Sequence, residues 1–591
     1  MKGKKQNITK ARESSRGLPQ QKKQGGQGKD SKPPAIRLWQ HWLFIAVISV
    51  VTFVCYQPAL NNKLLKTWDD PVYVTSNKLL DSLSVRKVGE IFSFNTEFQK
   101  LSNNYHPLTT LTLALNHAFS GLNPRPYHLT NILIHILNSI LVYLLVFLLA
   151  ERRTWAALLA GLLFAIHPMH VESVAWVSER KDVLYAFFFI SAMILYYLYL
   201  RKNSYKSLAV VFLLFFLSVL SKAMAVAFPL VMLLMDFLLN RKWSWRVFLE
   251  KIPFFLVSAI FGIIAVRVQA QGAINDWQTF TLYQRIIHAS YGFLSYLYSF
   301  FIPFGLSAFN PYPFINEHGV LPLAFRAAPF IFLVIMALTI WSLFARNRMI
   351  KIFGVGMLFY FFTIALVLQF ISVGRAITAD RYTYIPYIGI LFVIGSWISW
   401  LIDQKKPVLK YTGFAAGALM FVFSIVSAMQ CSLRSAVWHD DITLWTDALD
   451  QYSDVRMNFI RLKRANQFFE NSDFQNAMKD YQVIASKEPS SDEALGRIGQ
   501  IYGQQFHQID SALYYLNRAY LINPNEIILL KNLGVAYGIR GEYGKSQGFF
   551  LQAYAKDPAD SMLMLNIAAN YHGLGDLENA RKFETMAHKT H

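Results

Sequence analysis

The sequence predicts an all-α protein in two parts: a polytopic helical membrane domain of about eleven spans, then a helical-repeat solenoid. Three observations carry this. Apolar residues make up 54% of the 591 positions and charged ones only 16%, where a soluble chain carries about a quarter charged residues. The basic residues behind the net charge of +21 cluster at the ends of apolar runs, a pattern of membrane topology and not of nucleic-acid binding. Beyond residue 457, small residues and prolines recur every 34 or 35 positions, which marks a stacked repeat. Composition therefore excludes a disordered protein and argues against a wholly soluble enzyme. The two cysteines, Cys55 and Cys431, lie in or beside predicted spans, so no disulfide framework is expected.

Residues 1–38 form a polar tail with eleven Lys/Arg against Glu13 and Asp30. With almost nothing to bury, it reads as disordered. It is too long and polar for a signal-peptide head, and the first apolar run lacks a small-residue cleavage site, so that run reads as a retained span. Its charge holds the tail in the cytoplasm near anionic headgroups.

A helix needs about 20 residues to cross the hydrocarbon core. Spans are expected near 39–57, 128–150, 154–170, 183–200, 207–221, 223–239, 249–267, 325–345, 352–372, 383–402 and 411–430, within a membrane domain 39–430. Glu151-Arg152-Arg153, Arg201-Lys202, Arg241-Lys242, Arg346 with Arg348 and Lys351, and Lys405-Lys406 fall on one side of it, the cytoplasmic side. Residues 207–239 lie between two such loops and are too long for one upright helix. They read as a hairpin turning near Ser221-Lys222. Residues 285–305 are apolar and aromatic, and end at Pro303 with Pro311 and Pro313 beyond. They read as a re-entrant or interfacial helix, because a further span would put the cluster at Arg346–Lys351 outside. An odd count places the carboxyl-terminal part outside the cytoplasm.

A linker is expected over 431–456 and repeats over 457–591. Ala477, Ala512, Ser546 and Ala580 share one phase, and Pro489, Pro524 and Pro558 another. With Asn532-Leu533-Gly534, Tyr537, Phe550 and Ala553 they follow the 34-residue tetratricopeptide pattern, in about four helix pairs with the last truncated.

The polar groups of the membrane half collect at outer span ends and in the long first loop, 58–126. A transporter would keep them at the midplane of broken helices and show internal repeats. A non-catalytic anchored scaffold would need one span, not eleven. An enzyme working at the membrane surface suits the arrangement best. The first loop opens with Trp68-Asp69-Asp70-Pro71. Adjacent carboxylates need a cation or a proton to offset them, although a surface turn accounts for the same spacing. Then come Tyr105-His106-Pro107 and Arg125-Pro126-Tyr127-His128. His128, Asn131 and His135 lie on one helical face, which suits a polar seam between spans. The second loop holds His167, His170 and Glu172, whose H-x-x-H-x-E spacing lacks the i, i+4 logic of a zinc helix, and then Arg180 and Asp182. Arg180, and Lys222 at the hairpin tip, suit a phosphate. Arg375, Asp380, Arg381, Tyr382 and Tyr384 form a further polar cluster or a set of interface anchors.

Taken in order, Trp68-Asp69-Asp70-Pro71-x-Tyr73, Tyr105-His106-Pro107-Leu108-Thr109-Thr110, Pro126-Tyr127-His128-Leu129-Thr130-Asn131, His167-Pro168-Met169-His170-Val171-Glu172 through Ser178-Glu179-Arg180-Lys181-Asp182, Leu220-Ser221-Lys222 and Asp380-Arg381-Tyr382-Thr383-Tyr384 resemble the transmembrane and tetratricopeptide-repeat-containing family. That family is similar to the protein O-mannosyltransferases and shares the C-type glycosyltransferase membrane fold. The resemblance implies transfer of a sugar, in eukaryotic members mannose, from a lipid-phosphate donor to an acceptor hydroxyl, protein Ser/Thr or glycan, on the outer face. It implies that Asp69 and Asp70 are the catalytic element, and that Arg180, Lys222 and Arg381 bind the donor phosphate. His106, Arg125, His128, His170, Glu172, Asp182, Asp380 and Tyr382 remain further candidates. An acceptor hydroxyl needs a base as it attacks. One Asp serves, with Asp70 slightly favoured because Pro71 restricts its backbone. The other orients the acceptor or holds a divalent cation. The expected location is the cell (inner) membrane, or the endoplasmic reticulum membrane in a eukaryote, with repeats that hold protein partners and no nucleic acid.

Overall fold

The computed structural model describes residues 38–94, 96–202, 204–270, 280–313, 320–372 and 374–589. The expected basic tail lies outside the described residues, apart from Leu38. The first apolar run forms α1 (Leu38–Tyr56), which leaves Trp39, Trp42, Val50 and Val54 exposed, as suits a lipid-facing surface. The first loop folds into α2 (Val85–Phe92), α3 (Glu97–Ser102) and α4 (Pro107–Ser120). In α3, Thr96 and Gln99 form a reciprocal capping box. Then follow α5 (Pro124–Leu149) and α6 (Thr154–Ile166). At Pro168, which has no N–H to continue the ladder, the chain bends by 54° toward α7 (Val171–Ala175). Next are α8 (Arg180–Lys202), α9 (Tyr205–Ser221), α10 (Phe228–Leu238), α11 (Trp245–Leu249) and α12 (Ile252–Gln269). They are followed by α13 (Leu282–Phe301), α14 (Leu323–Leu343), α15 (Arg348–Ile364), α16 (Tyr387–Ile402) and α17 (Pro407–Val437).

Each of the eleven expected spans meets a helix. Among the described residues seven helices are long and apolar enough to cross a membrane, and the bent α6–α7 pair makes an eighth. Helices α9, α10 and α16 are shorter apolar helices, and the break between α9 and α10 falls at Lys222, where the turn is expected. Helices α15 and α16 approach closely at two glycines. A Cβ on Gly389 would come within 2.4 Å of the Gly356 carbonyl, a contact that only small residues allow.

The two ends of the bundle differ. At one end the basic loops are tied together. Arg153 pairs with Asp403, Arg348 with Glu151, Arg241 with Glu250 at 2.7 Å, and Lys251 with Asp236 at 2.5 Å. At the other end lie the first loop, the hairpin tip and the segment 376–384. Helix α13 keeps both flanks at this second end: Phe280 before it packs on Tyr312 after it, and Phe300 within it on Tyr387. A two-strand ladder, β1 (Asn310–Pro311) against β2 (Ala376–Thr378), is antiparallel with Asn310 opposite Thr378. It is a minor departure from an all-α chain.

Helix α17 outruns the expected span, and the expected linker is largely helical. Asn62 donates to the carbonyl of Ser435 at 3.1 Å, which anchors the extra turns, and α18 (Asp441–Gln451) follows after a short turn. The repeats pair α19 (Asn458–Glu470) with α20 (Phe474–Lys487), α21 (Asp492–Gln504) with α22 (Ile509–Ile522), α23 (Ile527–Ile539) with α24 (Tyr543–Lys556), and α25 (Ser561–Gly573) with α26 (Leu577–Lys589). The fourth pair is therefore complete and not truncated, because two 13-residue helices fit before the chain ends. Ala477, Ala512, Ser546 and Ala580 are all buried, as a close-packed stack requires. The repeats join the second end of the bundle, where Phe309 packs on Phe459 and Arg456 donates to the Tyr312 carbonyl.

Candidate active site

Asp69 and Asp70 begin the long first loop, just before a short helical turn at Pro71–Thr75. Asp70 points inward and is fully buried. One carboxylate oxygen accepts from the backbone N–H of Leu65 at 2.8 Å. The other accepts from the Trp176 indole at 2.9 Å, from the Ser178 N–H at 3.2 Å and from the Ser178 hydroxyl. Burial pushes its pKa up to about 6, against the lowering effect of the Ser178 and Leu65 donors. Asp69 points outward. Its side chain is 48% exposed, with Lys181 Nζ at 3.9 Å.

Behind Asp69 lies a buried charge cluster whose hub is Glu179, at 1% exposure. Lys181 approaches its carboxylate at 3.1 Å, Arg381 at 3.3 Å and Lys222 at 3.5 Å. Lys222 also pairs with Asp182, and Arg381 with Glu172, which accepts from the Arg381 N–H at 3.0 Å as well. Ser173 donates to Asp182 at 3.1 Å. Three carboxylates thus face three cations, and mutual compensation is what allows so many charges to be buried. Aromatic rings line the cluster: Tyr73 lies 4.6 Å from Lys181 Nζ, and Tyr382 4.9 Å from the Arg381 guanidinium. Arg381 keeps 19% of its side chain exposed, while Lys181 and Lys222 keep under a tenth. The bend at Pro168 delivers Glu172 and Ser173, the start of α8 delivers Glu179 to Asp182, and the α9–α10 turn delivers Lys222.

The remaining candidates divide. Arg180, at 0% exposure, faces away from the cluster. It donates to Asn131, to Asn116 Oδ1 at 2.7 Å and to the Tyr127 carbonyl at 2.9 Å, tying α4, α5 and α8 through neutral acceptors. His106 is buried. Its proton affinity is lowered first by burial and then by the charges of Lys181 and Lys222. With Asn104, Ala223 and Phe261 it lines a small cleft beside the cluster. His128 is buried on the seam with Asn131 and His135; Asn131 donates to the Trp176 carbonyl at 3.1 Å, and His135 bonds Tyr384 at 2.6 Å. Arg125 is exposed at the first turn of α5 and makes no ion pair among the described residues. His167 and His170 turn to different carbonyls, those of Phe300 at 3.0 Å and Phe164 at 2.8 Å, and Glu172 turns to Arg381. No three His, Cys, Asp or Glu side chains gather as metal ligands among the described residues. Asp380 is buried. Burial first, and then the Glu172 charge, push it up to about 8.

Sequence reasoning singles out neither Glu179 nor Lys181. The available signal is five consecutive polar residues, Ser178 to Asp182, opening an apolar helix.

Part of the site falls inside a recognisable region, with Asp69, Asp70 and Arg381 outside it. The family model described as dolichyl-phosphate-mannose-protein mannosyltransferase matches residues 106–268, which include Glu179, Lys181, Asp182 and Lys222. Protein O-mannosyl-transferase TMTC2 of Homo sapiens is 38% identical over 104 residues, 18% of this chain and 12% of that protein. TMTC3 of Mus musculus is 31% identical over 153 residues, 25% of this chain and 16% of that one. TMTC4 of Homo sapiens is 32% identical over 179 residues, 27% of this chain and 23% of that one. The matches thus span less than a quarter of those relatives' own length. Among solved structures, MamA is 19% identical and covers 25% of this chain and 80% of its own, with a TM-score of 0.23. Over residues 106–268 this chain of many apolar helices is thus similar to the dolichyl-phosphate-mannose-protein mannosyltransferases, and over stretches of 104 to 179 residues to proteins named protein O-mannosyl-transferase.

Proposed function

We propose that the chain is a membrane glycosyltransferase that moves a sugar, mannose by analogy with its relatives, from a polyprenyl-phosphate donor to an acceptor hydroxyl at the outer membrane surface. The observation that carries this reading is the division of labour at Asp69 and Asp70. One carboxylate is tied down by four donors, and its neighbour is accessible at the rim of a buried cation cluster.

In this reading Asp69 is the general base. It takes the acceptor's proton as the oxygen attacks the anomeric carbon. The bond from that carbon to the phosphate oxygen breaks in the same inverting displacement. The lipid phosphate leaves as an anion and needs charge stabilisation more than protonation. Arg381, the most accessible cation of the cluster, and Lys222 behind it are the groups that meet it, with Glu172 sharing Arg381. Asp70 holds the loop. Arg180 holds the scaffold and does not touch the donor.

The test is direct. Purified full-length protein, given mannosyl-phosphoryl-polyprenol and Ser/Thr-containing protein acceptors, should transfer the sugar, and Asp69→Asn should not. Wild-type protein that leaves the donor intact under all acceptors defeats the reading.

A further inference from the structure

The helices after the last span reach back to the loop that carries Asp69. Asp441, 3% exposed at the first position of α18, accepts from the backbone N–H groups of Lys66 at 2.8 Å and Thr67 at 2.9 Å. It also accepts from the Thr67 hydroxyl. Trp445, one turn on, donates its indole N–H to the same hydroxyl at 2.8 Å. From α19, the first repeat helix, Lys463 donates to the Thr67 carbonyl. Its ammonium lies 5.5 Å from the Trp68 ring and 4.9 Å from Phe459. The Trp68 ring in turn packs between Trp445 at 4.7 Å and Trp176 at 5.9 Å. The Thr67 N–H, carbonyl and hydroxyl are therefore all held from the carboxyl-terminal side, and Asp70 is held from the opposite side by Trp176 and Ser178. Asp69 stands between two fixed points and is itself free to face outward.

We propose that Asp441 and Lys463 are positioning residues for Asp69, so that α18 and α19 are part of the catalytic unit and not a tether for a separate binding module. The proposal rests on the transferase reading above for its catalytic half. A displacement of about 1 Å at a reacting group costs on the order of a hundredfold in rate. A clamp acting on Thr67, two residues before the base, acts on that scale. Because Lys463 sits on the first repeat helix, the repeats are coupled to the loop through one hydrogen bond and one cation–π contact.

The experiment uses the full chain in nanodiscs, as wild type, Lys463→Met, Lys463→Arg and Asp441→Asn. Lys531→Met, which breaks the Lys531–Asp560 pair of a later repeat, is the control. Deuterium uptake is read on the peptide spanning 63–72. It should rise in Lys463→Met and Asp441→Asn, and stay at the wild-type level in Lys463→Arg and Lys531→Met. With mannosyl-phosphoryl-polyprenol as donor probe, kcat should fall about tenfold to a hundredfold in the first two variants with donor KM little changed. Unchanged uptake in Lys463→Met and Asp441→Asn overturns the clamp. Raised uptake with unchanged kcat overturns the positioning role. A wild type that does not turn over the probe counts against the transferase reading alone, and the exchange measurement then decides the clamp.

Discussion

Asp69 and Asp70 share a peptide bond but not an environment: Asp70 is sealed under Trp176 and Ser178, while Asp69 looks out past Lys181. Their variants should fail in different ways. Asp69→Asn should keep its thermal stability and lose about 10²–10⁴ in transfer rate, the usual worth of a general base. Asp70→Asn puts an amide N–H among buried donors, and should cost about 1–3 kcal/mol for each donor left without an acceptor. Thermal unfolding and donor turnover, measured on the same preparations, separate the two. Equal stability loss in both variants contradicts the assignment.

Arg180, Lys222 and Arg381 should also part company. Arg381→Gln and Lys222→Gln remove charge from the cluster and should raise the KM for the lipid-linked donor. Arg180→Gln strands the acceptors on Asn116, Tyr127 and Asn131, at about 1–3 kcal/mol for each one unsatisfied. It should show as lower yield and a lower Tm, with donor KM unmoved in the protein that folds. A raised donor KM in Arg180→Gln at wild-type Tm would return that residue to the phosphate.

Asp380 supplies a pH dependence. Its pKa is raised to about 8 in the fold, so the native state keeps a proton that the unfolded chain releases. The stability this contributes is complete below the ordinary value of 3.8 and drains away as pH rises toward about 8. Asp380→Asn is neutral throughout and removes the effect. Between about pH 5 and pH 8 the Tm of the wild type should fall more steeply than that of the variant. Parallel slopes would place the proton elsewhere.

The glycine contact in the membrane domain can be probed against an internal control. Gly389→Ala drives a methyl into the Gly356 carbonyl and should cost about 1–3 kcal/mol, as overpacking does. Gly262→Ala, on α12, meets nothing within 4 Å and should leave the Tm unchanged or slightly raised. Similar Tm values for the two would mean that α15 and α16 separate freely.

Much of the fold is legible in the sequence because length and period are local properties. Eleven apolar runs give eleven helices, and small residues 34 or 35 apart give a stack of pairs. Even the helix break at Lys222 follows from counting residues between basic loops. The site is less legible because it is assembled from distant segments. Nothing near Glu179 announces Arg381, about two hundred positions away, and nothing in the Asp-Asp pair says which carboxylate turns inward. That choice is made by Trp176 and Ser178 across the fold. Pro71 restricts the backbone of Asp70, and the sequence offers no way to tell whether that aims it at substrate or at the core. The helices within the expected linker escape notice for a related reason. Asp441 binds the Lys66–Thr67 backbone, Thr446 accepts from Arg464 and Asp447 pairs with Arg434, and such polarity resembles solvent exposure until the partners are in view.

Arg180 has a bearing on how the chain is made. Asn116, Tyr127 and Asn131, which accept its N–H groups, all precede it in the sequence. A ribosome therefore delivers the acceptors to the membrane before the cation that needs them. When α8 emerges, the groups that accept from its guanidinium are already made, and the charge need not wait for a later helix. The order of synthesis thus favours Arg180, whereas its neighbour Asp182 waits for Lys222 from the later α9–α10 turn.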